Sequence, residues 1–290
     1  MPTRLSSLTE LTVANGERLS WGQRTYVMGV INVTPDSFSG DGLKGDVDAA
    51  VEQALRFEGE GADFLDIGAE STRPGHHPVT EAEELRRLLP SLEAVAARVS
   101  IPVSVDTWKS GVARAALDAG ACIINDVWGL KADPGIAAVA AERGAGLALM
   151  HNQQGHVYDN LLDDIVSGLQ RSADTALAAG VPRANLMVDP GIGFGKTADQ
   201  NIEVLRELGR LKKLGLPLLV GTSRKSTIGL LLGGLPPEER VEGTAVTVAL
   251  AIAAGADMIR VHDVKEMARV CRVSDAILRD WRPGGWETNQ

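Results

Sequence analysis

The sequence predicts a single α/β domain folded as a closed (β/α)8 barrel. Three observations carry that expectation. Eight short apolar, β-branched runs recur along the chain, at 27–32, 64–68, 102–106, 122–126, 147–151, 186–189, 218–223 and 258–263. They are continuous and not alternating, as strands covered on both faces are. Helical patterns fill the segments between them, which makes βαβ units and a parallel sheet. A weak repeat punctuates these units: Gly61-Ala62, Gly120-Ala121, Gly144-Ala145 and Gly255-Ala256 each close a helix and open a strand. Glycine suits the left-handed position that stops a helix.

The helical segments 47–60, 81–99, 199–214, 240–254 and 264–281 show apolar residues at a period of 3.6. Thr80 followed three residues later by Glu83 predicts a capping box. Each predicted strand carries a polar residue at or near its end: Asn32, Asp66, Asp106, Asn125, His151, Asp189, Ser223 and His262. In a (β/α)8 barrel such positions converge on one mouth. Helix capping explains any one of them equally well, but not all eight. Ahead of the barrel, residues 1–26 form an extension. Asn15-Gly16 between two short β-like runs predicts a hairpin there that closes the barrel's bottom. Residues 27–281 form the barrel, and 282–290 a flexible tail rich in Pro, Gly and polar residues.

Composition narrows the function. The chain has 290 residues, 44% of them hydrophobic and 23% charged, an ordinary globular balance. Its net charge of −9 argues against nucleic-acid or anionic-membrane partners, which need a basic footprint. No apolar run reaches a membrane span, and no basic start leads into an apolar stretch. Only Cys122 and Cys271 are present, so a reducing, cytoplasmic setting is expected.

Five segments carry the chemistry. Residues 32–42 read Asn-Val-Thr-Pro-Asp-Ser-Phe-Ser-Gly-Asp-Gly, the makings of a mobile lid, with Asn32 either a metal or phosphate ligand or an Asx-turn residue. Residues 70–75, Glu-Ser-Thr-Arg-Pro-Gly, offer hydroxyl and guanidinium donors to an anion, although Arg73 alone would read as a surface ion-pair residue. Asp189-Pro-Gly-Ile-Gly-Phe-Gly-Lys196 lacks the helix start of a nucleotide loop, but its glycines admit a flat ligand and Asp189 can accept from paired N–H donors. Gly221-Thr-Ser-Arg-Lys-Ser226 opens a helix whose start suits a carboxylate at Ser226; Lys225 is either a surface cation or a pocket donor. Arg260 and His262 share one strand face, two cationic donors suited to a diphosphate. The five His and two Cys have no zinc spacing, and no nucleophile with a base stands out.

In combination these motifs resemble the dihydropteroate synthase family of pterin-binding barrels, from about residue 27 to 281. The resemblance rests on 32–38, 70–75, 104–107, 124–126, 189–196, 221–226 and 259–264. It implies that 4-aminobenzoate is joined to 6-hydroxymethyl-7,8-dihydropterin diphosphate, with diphosphate leaving by a dissociative path. By resemblance, Asp106, Asn125, Met150, Asp189, Phe194 and Lys225 line the pterin pocket. Thr72, Arg73, Arg260 and His262 hold the diphosphate, with Asn32 at Mg²⁺. Phe38, Pro74, Ser223 and Ser226 face the aminobenzoate. Asn32, Arg73, Lys225, Arg260 and His262 are the catalytic set. The family further implies a homodimer and a sulfonamide target. Three features depart from its pattern: the lid carboxylate Asp41 is displaced by one position, Ala69 replaces a glycine, and 152–156 is atypical. Two rivals share the fold, a corrinoid methyltransferase and a non-catalytic pterin-binding paralogue. The diphosphate-type cations Arg73, Arg260 and His262 argue against the first, and the near-complete residue set against the second.

Overall fold

Period-two alternation inside the strands organises the molecule. The computed structural model describes residues 10–12, 18–34, 43, 46–71, 78–284 and 286. Its order is β1 (Glu10–Thr12), β2 (Arg18–Ser20), β3 (Tyr26–Asn32), α1 (Val47–Glu60), β4 (Phe64–Gly68), α2 (Glu81–Ala96), β5 (Val103–Asp106), α3 (Ser110–Asp118), β6 (Ile123–Asp126), α4 (Gly135–Arg143), β7 (Gly146–Met150), α5 (Leu161–Ala178), β8 (Leu186–Asp189), α6 (Ala198–Arg206), β9 (Leu219–Val220), α7 (Ser226–Leu231), α8 (Val241–Ala253), β10 (Met258–Val261) and α9 (Val264–Leu278). Eight parallel strands pair in the order β8-β7-β6-β5-β4-β3-β10-β9. A parallel bridge between Val188 and Leu218 spans the remaining seam, where Val188 N–H donates to the Pro217 carbonyl at 3.0 Å. The expected (β/α)8 barrel is present.

The strands bury both faces. Outward residues such as Val27, Ile31, Leu65 and Ile67 pack under the helices in one continuous core. Inward residues fill the barrel's lower interior: Tyr26, Met28, Phe64, Cys122, Ile123, Ala148, Met187, Leu219 and Met258. Two residues further along β4, β6, β8 and β10, about 6–7 Å higher at the usual strand rise, the inward positions become Asp66, Asn125, Asp189 and Arg260. Each strand thus runs from an apolar floor to a polar mouth. Cys122 and Cys271 are buried in these two cores, and the Cys122 thiol donates to the Val103 carbonyl at 3.5 Å.

The hairpin pairing β1 with β2 is antiparallel, Leu11 opposite Leu19. Its turn, including Asn15-Gly16, lies outside the described residues. β1 lies against the 3-10 turn Arg183–Asn185 that leads into β8, at the bottom of the barrel. Trp21 follows β2 and packs on the floor; its ring meets Tyr26 edge-on at 5.3 Å, and Tyr26 meets Phe64 at 6.0 Å. Of the tail, only 282–284 and 286 are described. No described helix is long and apolar enough to cross a membrane.

Several boundaries differ from the sequence expectation. The segment 199–214 is not one helix: α6 stops at Arg206, and a 3-10 helix runs over Leu208–Leu214. Gly209 lies in that stretch, and glycine weakens an α-helix. β9 is two residues long and not six, because it sits at the barrel's seam. α9 ends at Leu278, and Asp280 takes a left-handed φ of 56°. The capping box expected at Thr80 is half made: Thr80 Oγ1 accepts from Glu83 N–H, but the Glu83 carboxylate turns to Arg86 and Arg87. A complete box forms instead at Thr197 and Gln200. The four glycines of the Gly-Ala repeat all have positive φ, from 64° to 110°.

Phe64 is fully buried in the interior floor with neighbours from other strands. Phe64→Ala should lower the unfolding free energy by about 3–5 kcal/mol, because a closed barrel cannot collapse onto the cavity. Urea unfolding measures it, and a loss under about 1 kcal/mol would show that the floor is not close-packed.

Candidate active site

The mouth encloses a cavity of about 580 Å³, large enough for a bicyclic ring with a second small group. Six of the eight polar residues from the strand ends line it: Asn32, Asp106, Asn125, Asp189, Ser223 and His262. Met150, Phe194, Lys225, Ser226 and Arg260 join them, so the pocket alternative holds for Lys225. Thr72, Arg73, Phe38, Pro74 and Asp41 lie outside the described residues, as do the lid residues 35–42. Ala69, where the family pattern has glycine, is fully buried beside Glu70.

The floor of the pocket is an ionic cluster. Arg260 Nε donates to Asp66 Oδ2 at 2.6 Å, and its Nη2 donates to Asp106 Oδ2 at 2.7 Å. Asn125 Nδ2 donates to the same Asp66 oxygen at 3.0 Å. Register explains the meeting. Asp66 lies opposite Ser104 across β4 and β5, and Asp106 lies opposite Asn125 across β5 and β6, so all four point inward at neighbouring levels. Arg260, read from sequence as a diphosphate residue, thus places two of its donors on the carboxylates of the floor. Asp66 Oδ1, Ser104 Oγ and Asp106 Oδ1 are buried without a hydrogen-bond partner among the described groups. Two carboxylates share one guanidinium, and burial pushes Asp106 up to about 7 against the pull of Arg260.

Asp189 ends β8 at the opposite wall. One carboxylate oxygen accepts from Gly191 N–H at 2.7 Å, which turns the loop back over the strand end. Burial raises Asp189 to about 6, opposed by that N–H, Lys225 and Lys196. Lys225 Nζ sits 4.2 Å from the centre of the Phe194 ring. Phe194, Lys225 and Asp189 therefore frame one slot with an aromatic face, a cation and a carboxylate. Across the mouth, Ser223 Oγ accepts from His262 N–H at 3.1 Å and lies 3.0 Å from His262 Nδ1. Ser226 is exposed at the start of α7.

Three functional groupings escaped the sequence reading. Asp66 appeared only as one polar strand residue, yet it orients Arg260 and Asn125. His151 does not face the mouth; it is buried against Lys196. Glu70 lines the cavity, and its carboxylate accepts from Lys109 Nζ at 2.5 Å, which also donates to Glu84 at 2.6 Å and to the Val79 carbonyl at 2.8 Å. Thr107 Oγ1 donates to Glu84 at 2.7 Å. This buried knot ties β4, α2 and the end of β5 together beside Asp106. The one available signal was Lys109 standing just past a strand end.

Asp66→Ala should cost about 3–5 kcal/mol of unfolding free energy, since it removes one partner of a buried guanidinium. Asp66→Asn should recover most of that loss, because an amide oxygen can still accept from Arg260 Nε and Asn125. Urea unfolding of both variants checks this; equal losses would show that Arg260 does not depend on that acceptor.

This geometry meets independent likenesses. The family described as pterin binding enzyme matches residues 28–262. A dihydropteroate synthase of Clostridium beijerinckii is 49% identical over 259 residues, covering 89% of this chain and 96% of its own. A crystal structure of dihydropteroate synthase from Clostridium difficile in the presence of pteroic acid superposes with a TM-score of 0.86 at 46% identity, covering 90% of this chain and 99% of that one. The Xanthomonas albilineans enzyme with 4-aminobenzoic acid gives a TM-score of 0.87 at 42% identity, over 93% and 98% of the two chains. With eight inward strand ends forming the pocket and these relatives matched over nearly their whole length, the chain belongs to the dihydropteroate synthase family of pterin-binding enzymes.

Proposed function

We propose that the chain condenses 6-hydroxymethyl-7,8-dihydropterin diphosphate with 4-aminobenzoate to give 7,8-dihydropteroate and diphosphate, a transferase step of folate biosynthesis in the cytoplasm. The observation that carries this reading is the slot between Phe194, Lys225 and Asp189 at the mouth of a barrel whose relatives make or bind pteroates. A dihydropterin has a flat face for Phe194 and Met150, adjacent N–H donors for Asp189, and a carbonyl edge for Lys225. Asp106 and Asn125 complete its polar rim.

The diphosphate falls to His262, Arg260, Asn32, Thr72 and Arg73. Mg²⁺ fits here: it usually keeps waters and substrate phosphate oxygens and needs few protein ligands. Among the described residues no group of three or more His, Cys, Asp or Glu could hold a metal, while the Asn32 side chain lines the cavity. When bound, Mg²⁺ neutralises charge on the diphosphate. The C–O bond then breaks with its electron pair on diphosphate, and the dihydropterin delocalises the positive charge left on its methylene carbon. The arylamine lone pair forms the new C–N bond and one proton is released. No enzyme nucleophile is needed; the protein positions the partners and stabilises charge. Ser226 at the helix start suits the aminobenzoate carboxylate, with Phe38, Pro74 and Ser223 around the ring, the subsite that would also accept sulfonamides. A homodimer is supported by Val246 and Leu250 on α8 and Val273 and Ile277 on α9, four apolar side chains 59–77% exposed on two packed helices.

Turnover with the two substrates tests the reading directly, and two finer results follow from it. Pterin donors prefer the ionised Asp189, whose pKa is raised to about 6. Pterin affinity should therefore be full above that value and fall as pH drops through it. Asp189→Asn should weaken binding by about 1–3 kcal/mol by mispairing a buried group. Calorimetric titration at several pH values reads both, and an affinity indifferent to pH and to the substitution would remove Asp189 from the pterin site.

Aminobenzoate should bind weakly alone and more tightly with Mg²⁺ and diphosphate, with a coupling of about 1–3 kcal/mol. Aminobenzoate buries too little area to assemble its own subsite, whereas the diphosphate engages Arg73 next to Pro74. Arg73→Ala should abolish most of the coupling and leave pterin binding intact. Titrating aminobenzoate in both proteins with and without Mg²⁺-diphosphate decides it; equal affinity in all four conditions rules the coupling out.

A further inference from the structure

Lys196 closes the glycine-rich loop after β8, and its ammonium is turned inward. The residue is 6% exposed. Its Nζ donates to the Gly191 carbonyl at 3.0 Å and the Phe194 carbonyl at 3.0 Å, and lies 3.3 Å from His151 Nδ1. Three donors therefore meet three acceptors. The third contact requires a neutral His151 with its proton on Nε2; burial, with the Lys196 charge next, lowers His151 to about 3. All three hydrogen-bond partners are uncharged; burial pulls the Lys196 ammonium down to about 7, and the nearby Asp189 carboxylate pulls it back up, so the buried charge depends on these three contacts and on Asp189.

The loop itself explains why a cation is there. Gly191, Gly193 and Gly195 have φ of 69°, 82° and 56°. A Cβ at Gly191 would stand 1.9 Å from the His151 carbonyl oxygen, and one at Gly195 2.5 Å from that of Gln153. This left-handed path brings the Gly191 and Phe194 carbonyls to one point beside an imidazole lone pair. Without a donor at that point, three buried acceptors would face one another. The outer side of the same loop, Ile192 to Phe194, is a wall of the cavity. It carries the Phe194 ring under Lys225 Nζ, and a Cβ at Gly193 would lie 3.1 Å from Lys225 Cδ.

We propose that Lys196 is a positioning residue for the pterin, an internal cation that gathers the Gly191 and Phe194 carbonyls and His151 and so fixes the wall on which Phe194 and Lys225 meet the ring. It touches no substrate and acts through the loop. This rests on the pterin reading of the slot, so the test carries Asp189→Asn as its reference.

The experiment uses the full chain with Lys196→Ala and Lys196→Met, and 6-hydroxymethylpterin as the diphosphate-free probe. Lys196→Ala should raise the probe's Kd and the KM for the pterin diphosphate on the order of 10- to 100-fold, the scale expected when a binding wall shifts by about an ångström. The KM for aminobenzoate should stay within about twofold, a split that general destabilisation would not produce. Ethylammonium ions should restore much of the pterin affinity of Lys196→Ala by refilling the vacated space with an N–H donor cation. Tetramethylammonium, which has the charge without donors, should not. Lys196→Met keeps the stem and its packing, so it carries the affinity comparison if the alanine variant does not fold. A folded Lys196 variant with wild-type probe affinity overturns the proposal. So does a loss that shifts both KM values in parallel and ignores ethylammonium. If Asp189→Asn also leaves the probe's affinity unchanged, the pterin reading itself fails; if Asp189→Asn weakens binding and the Lys196 variants do not, only the role of Lys196 falls.

Discussion

The Arg260 guanidinium, held between Asp66 and Asp106 inside the barrel, is the interaction on which the rest of the site depends. A buried charge is tolerated only with close, well-directed partners. Here those partners come from β4 and β5, while the arginine comes from β10, 194 residues after Asp66 in sequence. They meet because the strands share an inward register in a barrel that closes on itself. A shift of one residue in any of these strands would turn its polar group into the apolar layer beneath the helices. The barrel's pairing and the chemistry of its mouth are therefore one constraint. Below the cluster lies an apolar floor sealed by Tyr26 and Trp21; above it opens a cavity lined by carboxylates, amides and cations.

Charge balance gives that cavity its character. Asp66, Asp106 and Asp189 outnumber the arginine beneath them, with Lys225 at the rim. Burial raises Asp106 and Asp189 toward neutrality while the nearby cations hold them down. Such carboxylates are poised to be completed by a ligand that brings paired N–H donors. The chain's overall negative charge does not exclude an anionic substrate, because Arg224, Lys225, Arg240, Arg260 and His262 line the cavity and set its local field.

Much of this was legible in the residues. Continuous apolar runs gave the parallel strands, and the Gly-Ala repeat marked helix ends that do adopt left-handed φ. Six of the eight polar strand residues line the cavity as the barrel grammar implies. What escaped reading depends on distant partners. Asp66 looks like any polar strand residue until Arg260 arrives from the far end of the chain. His151 ends a strand as the others do, yet its ring faces Lys196, a pairing across 45 residues that no local spacing encodes. The helix expected over 199–214 breaks after Arg206, because periodicity records which face is apolar but not whether each turn keeps α geometry through Gly209.

The same distinction explains how the site is divided. Most groups that line the cavity sit at strand ends or in the loops just after them and are visible in short motifs, since each is aimed by its own strand or the turn that follows it. Groups that hold the first set in place are buried between elements: Lys109 among Glu70, Glu84 and the Val79 carbonyl, and Lys196 among two carbonyls and an imidazole. Both are lysines whose long stems let a charge on one element reach acceptors on others. Lys109 fastens Glu70 and the Val79 carbonyl to α2, and Lys196 holds a glycine-rich loop that would otherwise have many conformations. A pocket that must present a carboxylate, a cation and an aromatic face to one flat ring needs rigid walls around a chain that is locally permissive. In this fold Lys196 supplies that rigidity along the glycine-rich loop after β8.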